Sequence, residues 1–176
     1  MPSDPRYLFD SDVLITSGKL HYGHAYCQSF WEWIAAGHQN DRFHSIDLVK
    51  KEVLAGLNKG DPFYKWITQP ALTPFFRNPG TVDDLVGKLT TMAHSSPNKF
   101  THAAIKKFTD TAKADIWLIA YAARHKNFVI VTYEESAPDG KKEIKLPDAA
   151  QWLGVKTVKL VDVLNRYAIN NFTFRP

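Results

Sequence analysis

Tyr7-Leu8-Phe9-Asp10-Ser11-Asp12-Val13-Leu14-Ile15 is the stretch around which the chain is organised. It begins as an apolar run suited to a buried strand, places two carboxylates at the end of that strand, and then turns apolar again. In open parallel α/β sheets, ligands bind at the carboxyl ends of the strands, where the strand order reverses, so Asp10 falls where chemistry takes place. A second run, Phe128-Val129-Ile130-Val131-Thr132, is the clearest buried parallel strand in the chain, and it too is followed by acids, Glu134 and Glu135. Just ahead of it, Asp115 opens an apolar, alanine-rich helix through Ala123. Helix followed by strand is a βαβ rhythm, and the fold class expected is α/β.

Working outward, Thr16 to His24 carries Gly18 and Gly23 and reads as loop, and Tyr26 to Ala36 as an aromatic-rich helix ended by Gly37. A short strand, Phe43 to Ile46, leads into a helix from Asp47 to Leu57, with Asp47 as its cap, Val49, Val53, Leu54 and Leu57 on the buried face, and Glu52 beside that face. Residues 60–80 interleave four prolines with Phe63, Tyr64, Trp66, Phe75 and Phe76, which forbids one long helix and predicts an irregular excursion with a helical turn near Tyr64 to Ile67. Helices are expected from Thr81, with Asp83 and Asp84 in the first turn, and over Thr101 to Phe108. Ile144 to Leu146 reads as extended, Pro147 to Leu153 as a helix, Thr157 to Leu160 as the last core strand and Val161 to Tyr167 as the last helix. The tail from Asn171 is poorly specified.

At 176 residues, 44% hydrophobic and 23% charged, the chain suits one globular domain spanning 1–176 and excludes a disordered protein. No apolar run approaches the roughly 18 residues of a membrane span, and Met1 to Arg6 lacks the apolar core of a signal peptide. A cytoplasmic, membrane-free protein is therefore expected, in keeping with the single cysteine, Cys27, read as a small core hydrophobe. The net charge of +4, with lysine pairs at Lys50-Lys51, Lys106-Lys107 and Lys141-Lys142, would suit a polyanionic substrate around an acidic, metal-holding pocket. Each pair taken alone is an ordinary solvated face.

Two strands that lead into carboxylates and two helices that bring Glu52 and Asp115 would converge as hard oxygen ligands for Mg²⁺ or Mn²⁺. Without a cation such a cluster repels itself, by ~4 kcal/mol per pair at about 4 Å and an effective dielectric near 20. In this order and spacing, the Tyr7 to Ile15 stretch, Glu52 in a helix, Ala114-Asp115 opening an Ile- and Ala-rich helix, and Val131-Thr132-Tyr133-Glu134 resemble the PIN-domain ribonucleases, VapC-like toxins included. The likeness is greatest to a PIN-like subfamily paired with helix-turn-helix antitoxins, and residues 60–98 add length that compact PIN toxins lack.

What the resemblance implies is a three-layer α/β/α domain with a central, mostly parallel sheet that hydrolyses RNA phosphodiesters with Mg²⁺ or Mn²⁺. Asp10, Glu52, Asp115 and Glu134 would be its catalytic acids and metal ligands, with Glu134 in a place commonly held by Asp and Glu135 as its competitor. Ser11, Asp12, Thr132 and Glu135 would support them, Asp12 as a further ligand or a residue behind the ligands. A helix-turn-helix antitoxin and a second copy of the chain would be its protein partners. A rival is the haloacid-dehalogenase-like phosphatases, which Asp10-Ser11-Asp12 also resembles, with Asp10 as nucleophile and Asp12 as general acid. That family's later Gly-Asp-x-x-x-Asp motif is missing, and Leu14 stands where it usually has Thr or Val. A third reading is a PIN-like protein with a silent site that binds RNA or a partner. His21 and His24 read as loop histidines, and His38, His44, His94, His102 and His125 as surface residues.

Overall fold

The computed structural model describes residues 4–168; the tail from Asn171 and the first three residues lie outside that range. Five short strands carry the apolar runs: β1 (Arg6–Phe9), β2 (Phe43–Ile46), β3 (Phe76–Arg77), β4 (Phe128–Val131) and β5 (Lys156–Val158). They form one sheet in the order β3-β2-β1-β4-β5, and every pairing is parallel. The chain runs outward from β1 through β2 to β3, then crosses back to lay β4 on the other side of β1. The order therefore reverses between β1 and β4, which is where an open parallel sheet leaves a crevice at its carboxyl edge.

Between the strands lie α1 (Ser11–Thr16), α2 (Gln28–Gln39), α3 (Asp47–Ala55), α4 (Pro62–Ile67), α5 (Asp83–Ser95), α6 (His102–Phe108), α7 (Ala114–Arg124), α8 (Leu146–Trp152) and α9 (Leu160–Tyr167). They cover both faces. Tyr7 and Phe43 are register partners on one face, where both rings meet Tyr167 of α9 and Phe43 also meets Trp33 of α2. One step along the strands, Arg6 and Phe128 pair on the other face, where Phe128 packs on Tyr121 of α7. The domain is thus α/β in three layers, α/β/α, with an all-parallel central sheet. No helix among the described residues is long and apolar enough to cross a membrane.

Packing around β1 is tight enough to tolerate a polar group. Leu8, Phe9, Val13 and Leu14 are fully buried, and each such side chain stabilises by about 1.5–3 kcal/mol. That offsets the cost of drawing Asp10, at 3% exposure, into the same surroundings.

Several local expectations are corrected. The segment after Asp10 is helical, as α1 followed by a π-helical turn over Ser17–His21, where Gly18 and Gly23 suggested loop; the apolar Val13 and Leu14 are buried and hold it in place. Within residues 60–80, a 3₁₀ turn (Pro70–Phe75) delivers β3, whose two residues are too few to show an alternation. Ile46 rather than Asp47 caps α3, which ends at Ala55. Leu146 starts α8 instead of ending an extended piece, and Leu160 starts α9 instead of ending β5. His44 is fully buried on β2, not at the surface, and accepts a hydrogen bond at Nδ1 from Arg77 Nε (3.1 Å). Cys27 is half-buried against the core.

Gly37 lies inside α2 instead of ending it, because the buried Phe43 ring needs the space: a Cβ there would stand 1.9 Å from Phe43 Cδ2. Helix propensity favours alanine over glycine by up to ~1 kcal/mol, but overpacking a filled core costs about 1–3 kcal/mol. Gly37→Ala is therefore expected to lower the urea midpoint with an unchanged m-value, a net loss of about 1–2 kcal/mol. An equal or higher midpoint would contradict this packing.

Candidate active site

The register of β1 against β4 builds the centre of the site. Phe9 pairs with Val131, and Asp10 N–H donates to Val131 O (3.0 Å), so the next residues, Asp10 and Thr132, emerge side by side at the carboxyl edge. Asp10 is also the N-cap of α1. Its Oδ1 accepts from Ser11 N (2.6 Å) and, at longer range, from Ser11 Oγ (3.4 Å), while Oδ2 lies 3.1 Å from Thr132 Oγ1.

Asp12, one residue into α1, turns to the same hydroxyl. Its Oδ2 lies 3.2 Å from Thr132 Oγ1 and accepts from Tyr133 N (3.0 Å). Its Oδ1 is buried without a hydrogen-bond partner. Thr132 Oγ1 in turn accepts from Glu134 N (3.1 Å). A hydroxyl has one proton, so Thr132 can donate to Asp10 or Asp12 but not to both. The pair needs one more positive centre.

The other acids arrive on separate elements. Glu52, half-buried on α3, accepts from Ala114 N (3.0 Å) through Oε1 and so ties α3 to the start of α7. Asp115 lies in the first turn of α7. Glu134 accepts from Leu146 N (3.0 Å), the first residue of α8, through Oε2. Glu52, Asp115 and Glu134 line one cleft of about 400 Å³, together with Lys107, Lys113 and Glu143.

Glu135 goes elsewhere. Its carboxylate is exposed and pairs with Lys159 Nζ (2.9 Å), so Glu134 is the acid that joins the cleft. Lys159 also donates to Tyr133 O (2.9 Å) and Glu134 O (2.6 Å), fixing the backbone that aims Glu134. Lys159 and Glu143 escaped the sequence reading. The Lys106-Lys107 pair had marked charge there, but no local pattern ties Lys159 to a segment 25 residues away.

Electrostatics follow this crowding. Burial first, then the charges of Asp12 and Asp115, push the Asp10 carboxyl well above the ordinary range. Burial raises Asp12 too, against the opposing N–H of Tyr133. Asp115 is pushed up to about 6, chiefly by burial and then by Glu134, Glu52 and Asp12. Glu143 behaves oppositely: Lys107 and Lys145 clasp it and hold it down at about 2.

No three Asp, Glu, His or Cys side chains among the described residues already stand in a metal-holding arrangement. The donor chemistry fits a hard divalent cation all the same. Every acid offers oxygen, Asp12 Oδ1 is orphaned, and one hydroxyl proton faces two carboxylates. His21 is exposed and its ring meets Tyr133, while His24 packs near Trp31 and Trp66.

A family model described as a domain of unknown function (DUF4411) matches residues 7–171, nearly the whole chain, and the chain belongs to that family. No curated protein and no solved structure matches it.

The raised carboxyls make a signed prediction for the metal-free protein. A group whose pKa is higher folded than unfolded stabilises below its unfolded value, here 3.8, and that stability is lost as pH rises through the folded value, about 6 for Asp115. Asp10→Asn removes the most buried charge, and its amide can donate to Thr132 Oγ1, freeing the hydroxyl proton for Asp12. In chelator at pH 7 the variant is expected to be more stable by roughly 1–3 kcal/mol, with the gain shrinking towards pH 4. Urea unfolding at the two pH values measures it; a destabilised variant, or a gain independent of pH, would show that the acids are not in conflict.

Proposed function

We propose that the chain is a metal-dependent ribonuclease that hydrolyses phosphodiester bonds of RNA, acting as the toxin of a toxin-antitoxin pair. One observation carries this reading: the β1–β4 register and three helix starts bring Asp10, Asp12, Asp115, Glu52 and Glu134 to the carboxyl edge of a parallel sheet at its switch point. It is supported by the likeness of the same residues to the PIN-domain ribonucleases.

In this reading Asp10, Asp115, Glu134 and Glu52 hold Mg²⁺ or Mn²⁺. A bound cation of this kind lowers the pKa of water and stabilises charge on the phosphoryl oxygens. Thr132 keeps Asp10 and Asp12 in register, and Lys159 fixes the backbone oxygens of Tyr133 and Glu134. Lys107 and Lys113, on the wall of the cleft, attract the phosphate backbone of the substrate. The cognate partner is a helix-turn-helix antitoxin, the assembly a homodimer and the compartment the cytoplasm. The phosphatase alternative needs Asp10 to meet a phosphorus atom directly. Both Asp10 oxygens are hydrogen-bonded and the residue is 3% exposed, which suits a ligand better than a nucleophile.

The test is cleavage of an end-labelled single-stranded RNA by wild type and Asp10→Asn, with Mn²⁺, Mg²⁺ or chelator, beside a phosphomonoester. Cleavage is expected with either cation, is abolished by chelator, and falls by about 100-fold or more in Asp10→Asn. Hydrolysis of the monoester in place of RNA would favour the phosphatase; inertness towards both, with RNA still bound, would favour the silent site.

A further inference from the structure

A second cavity, of about 660 Å³, opens beside β3 and the end of α7. It shares no lining residue with the acidic cleft. Its walls differ in kind: Pro74, Phe76 and Val82 make an apolar side, and Arg77, Arg124 and His125 a basic one. No acidic side chain lines it.

The arginines are steadied from outside the cavity. Arg77 donates through Nε to the buried His44 and through Nη2 to Asp41 (3.0 Å), and Arg124 donates through Nη2 to Asp84 (2.5 Å). A guanidinium has five N–H groups in a fixed fork, so each arginine is oriented by these bonds and keeps further donors for a ligand. Burial and the charges of Arg77, Arg124 and Arg6 hold the His125 imidazole below its ordinary range. The wall over residues 78–80 is a tight turn, with Asn78 Oδ1 accepting from Gly80 N (2.8 Å) and Gly80 at φ +68°.

We propose that this cavity binds a mononucleotide, with its phosphate between Arg77, Arg124 and His125 and its uncharged ring against Pro74, Phe76 and Val82. Arginine forks match phosphate oxygens two at a time. A concave site of this volume lies within the range of small-ligand pockets, about 300–1,000 Å³, which combine apolar walls with a few placed polar groups. Three basic side chains, Arg77, Arg124 and His125, line the cavity, enough to hold one phosphate rather than the run of phosphates along a polymer.

The experiment is isothermal titration of the full chain in chelator with AMP, adenosine and inorganic phosphate, and with a short single-stranded RNA. Chelator prevents metal-bridged binding of phosphate at the acidic cleft. AMP is expected to bind, with adenosine weaker by about tenfold or more, and Arg124→Gln to weaken AMP by about tenfold or more. His125→Gln is expected to weaken it as well. Arg124 and His125 are exposed, so both variants keep the fold, as circular dichroism will check. Asp10→Asn, in the other site, is expected to bind AMP as wild type does. Absence of AMP binding, equal binding of AMP and adenosine, or unchanged affinity in Arg124→Gln would overturn the proposal. So would RNA binding that depends on Arg124 where AMP does not bind, which would give the arginines to a polymer backbone. None of these outcomes depends on whether the acidic cleft cleaves RNA.

Discussion

A single hydroxyl proton, on Thr132, faces two carboxylates, and that shortage stands at the centre of the molecule. The pairing of Phe9 with Val131 forces it, because the residues that follow each strand must emerge together at the same edge. Slipping the register by one residue would turn every side chain of the slipped strand to the opposite face of the sheet and part Asp10 from Thr132. The same apolar packing that stabilises the sheet thus compels Asp10, Asp12 and Thr132 to meet.

Helix starts make that meeting tolerable. Asp10 caps α1, Glu52 accepts from the first residue of α7, Asp115 lies in the first turn of α7, and Glu134 accepts from the first residue of α8. Each acid therefore sits at a positive helix end, whose unpaired N–H groups need acceptors anyway. An interaction of this kind is worth about 0.3–1 kcal/mol at the surface and up to ~2 kcal/mol when partly buried, less than the ~4 kcal/mol of a close like-charge pair. The balance is a cluster that folds yet still favours a cation or a proton, as the raised Asp10 and Asp115 carboxyls indicate.

Outside the cleft, buried polar groups answer to a different set of partners. His44, fully buried, links Arg77 to β2 while Asp41 gathers Arg6 and Arg77 from two further strands. Acid capped by helices in one place and arginine steadied by acids in another give the protein two polar regions of opposite character.

Elements with a strong local pattern were legible in the residues alone: β1, β4, the apolar α7, and the placement of Asp10, Asp115 and Glu134 at element ends. Their periodicity and run length survive without knowledge of any partner. Asp115 opening a helix, for instance, is a property of eleven neighbouring residues. Other features belong to no neighbourhood. β3 is two residues held by its pairing with β2, Gly37 is set by a ring on the next strand, and the burial of His44 is matched by an arginine 33 residues away. The choice of Glu134 over Glu135 was decided by Lys159, which draws one to the surface and fixes the backbone of the other. By itself the sequence determined which acids lie at strand and helix ends, because backbone preferences act over a few residues. Only the tertiary structure decided which of them face one another, because register and packing are set by contacts that chain proximity does not encode.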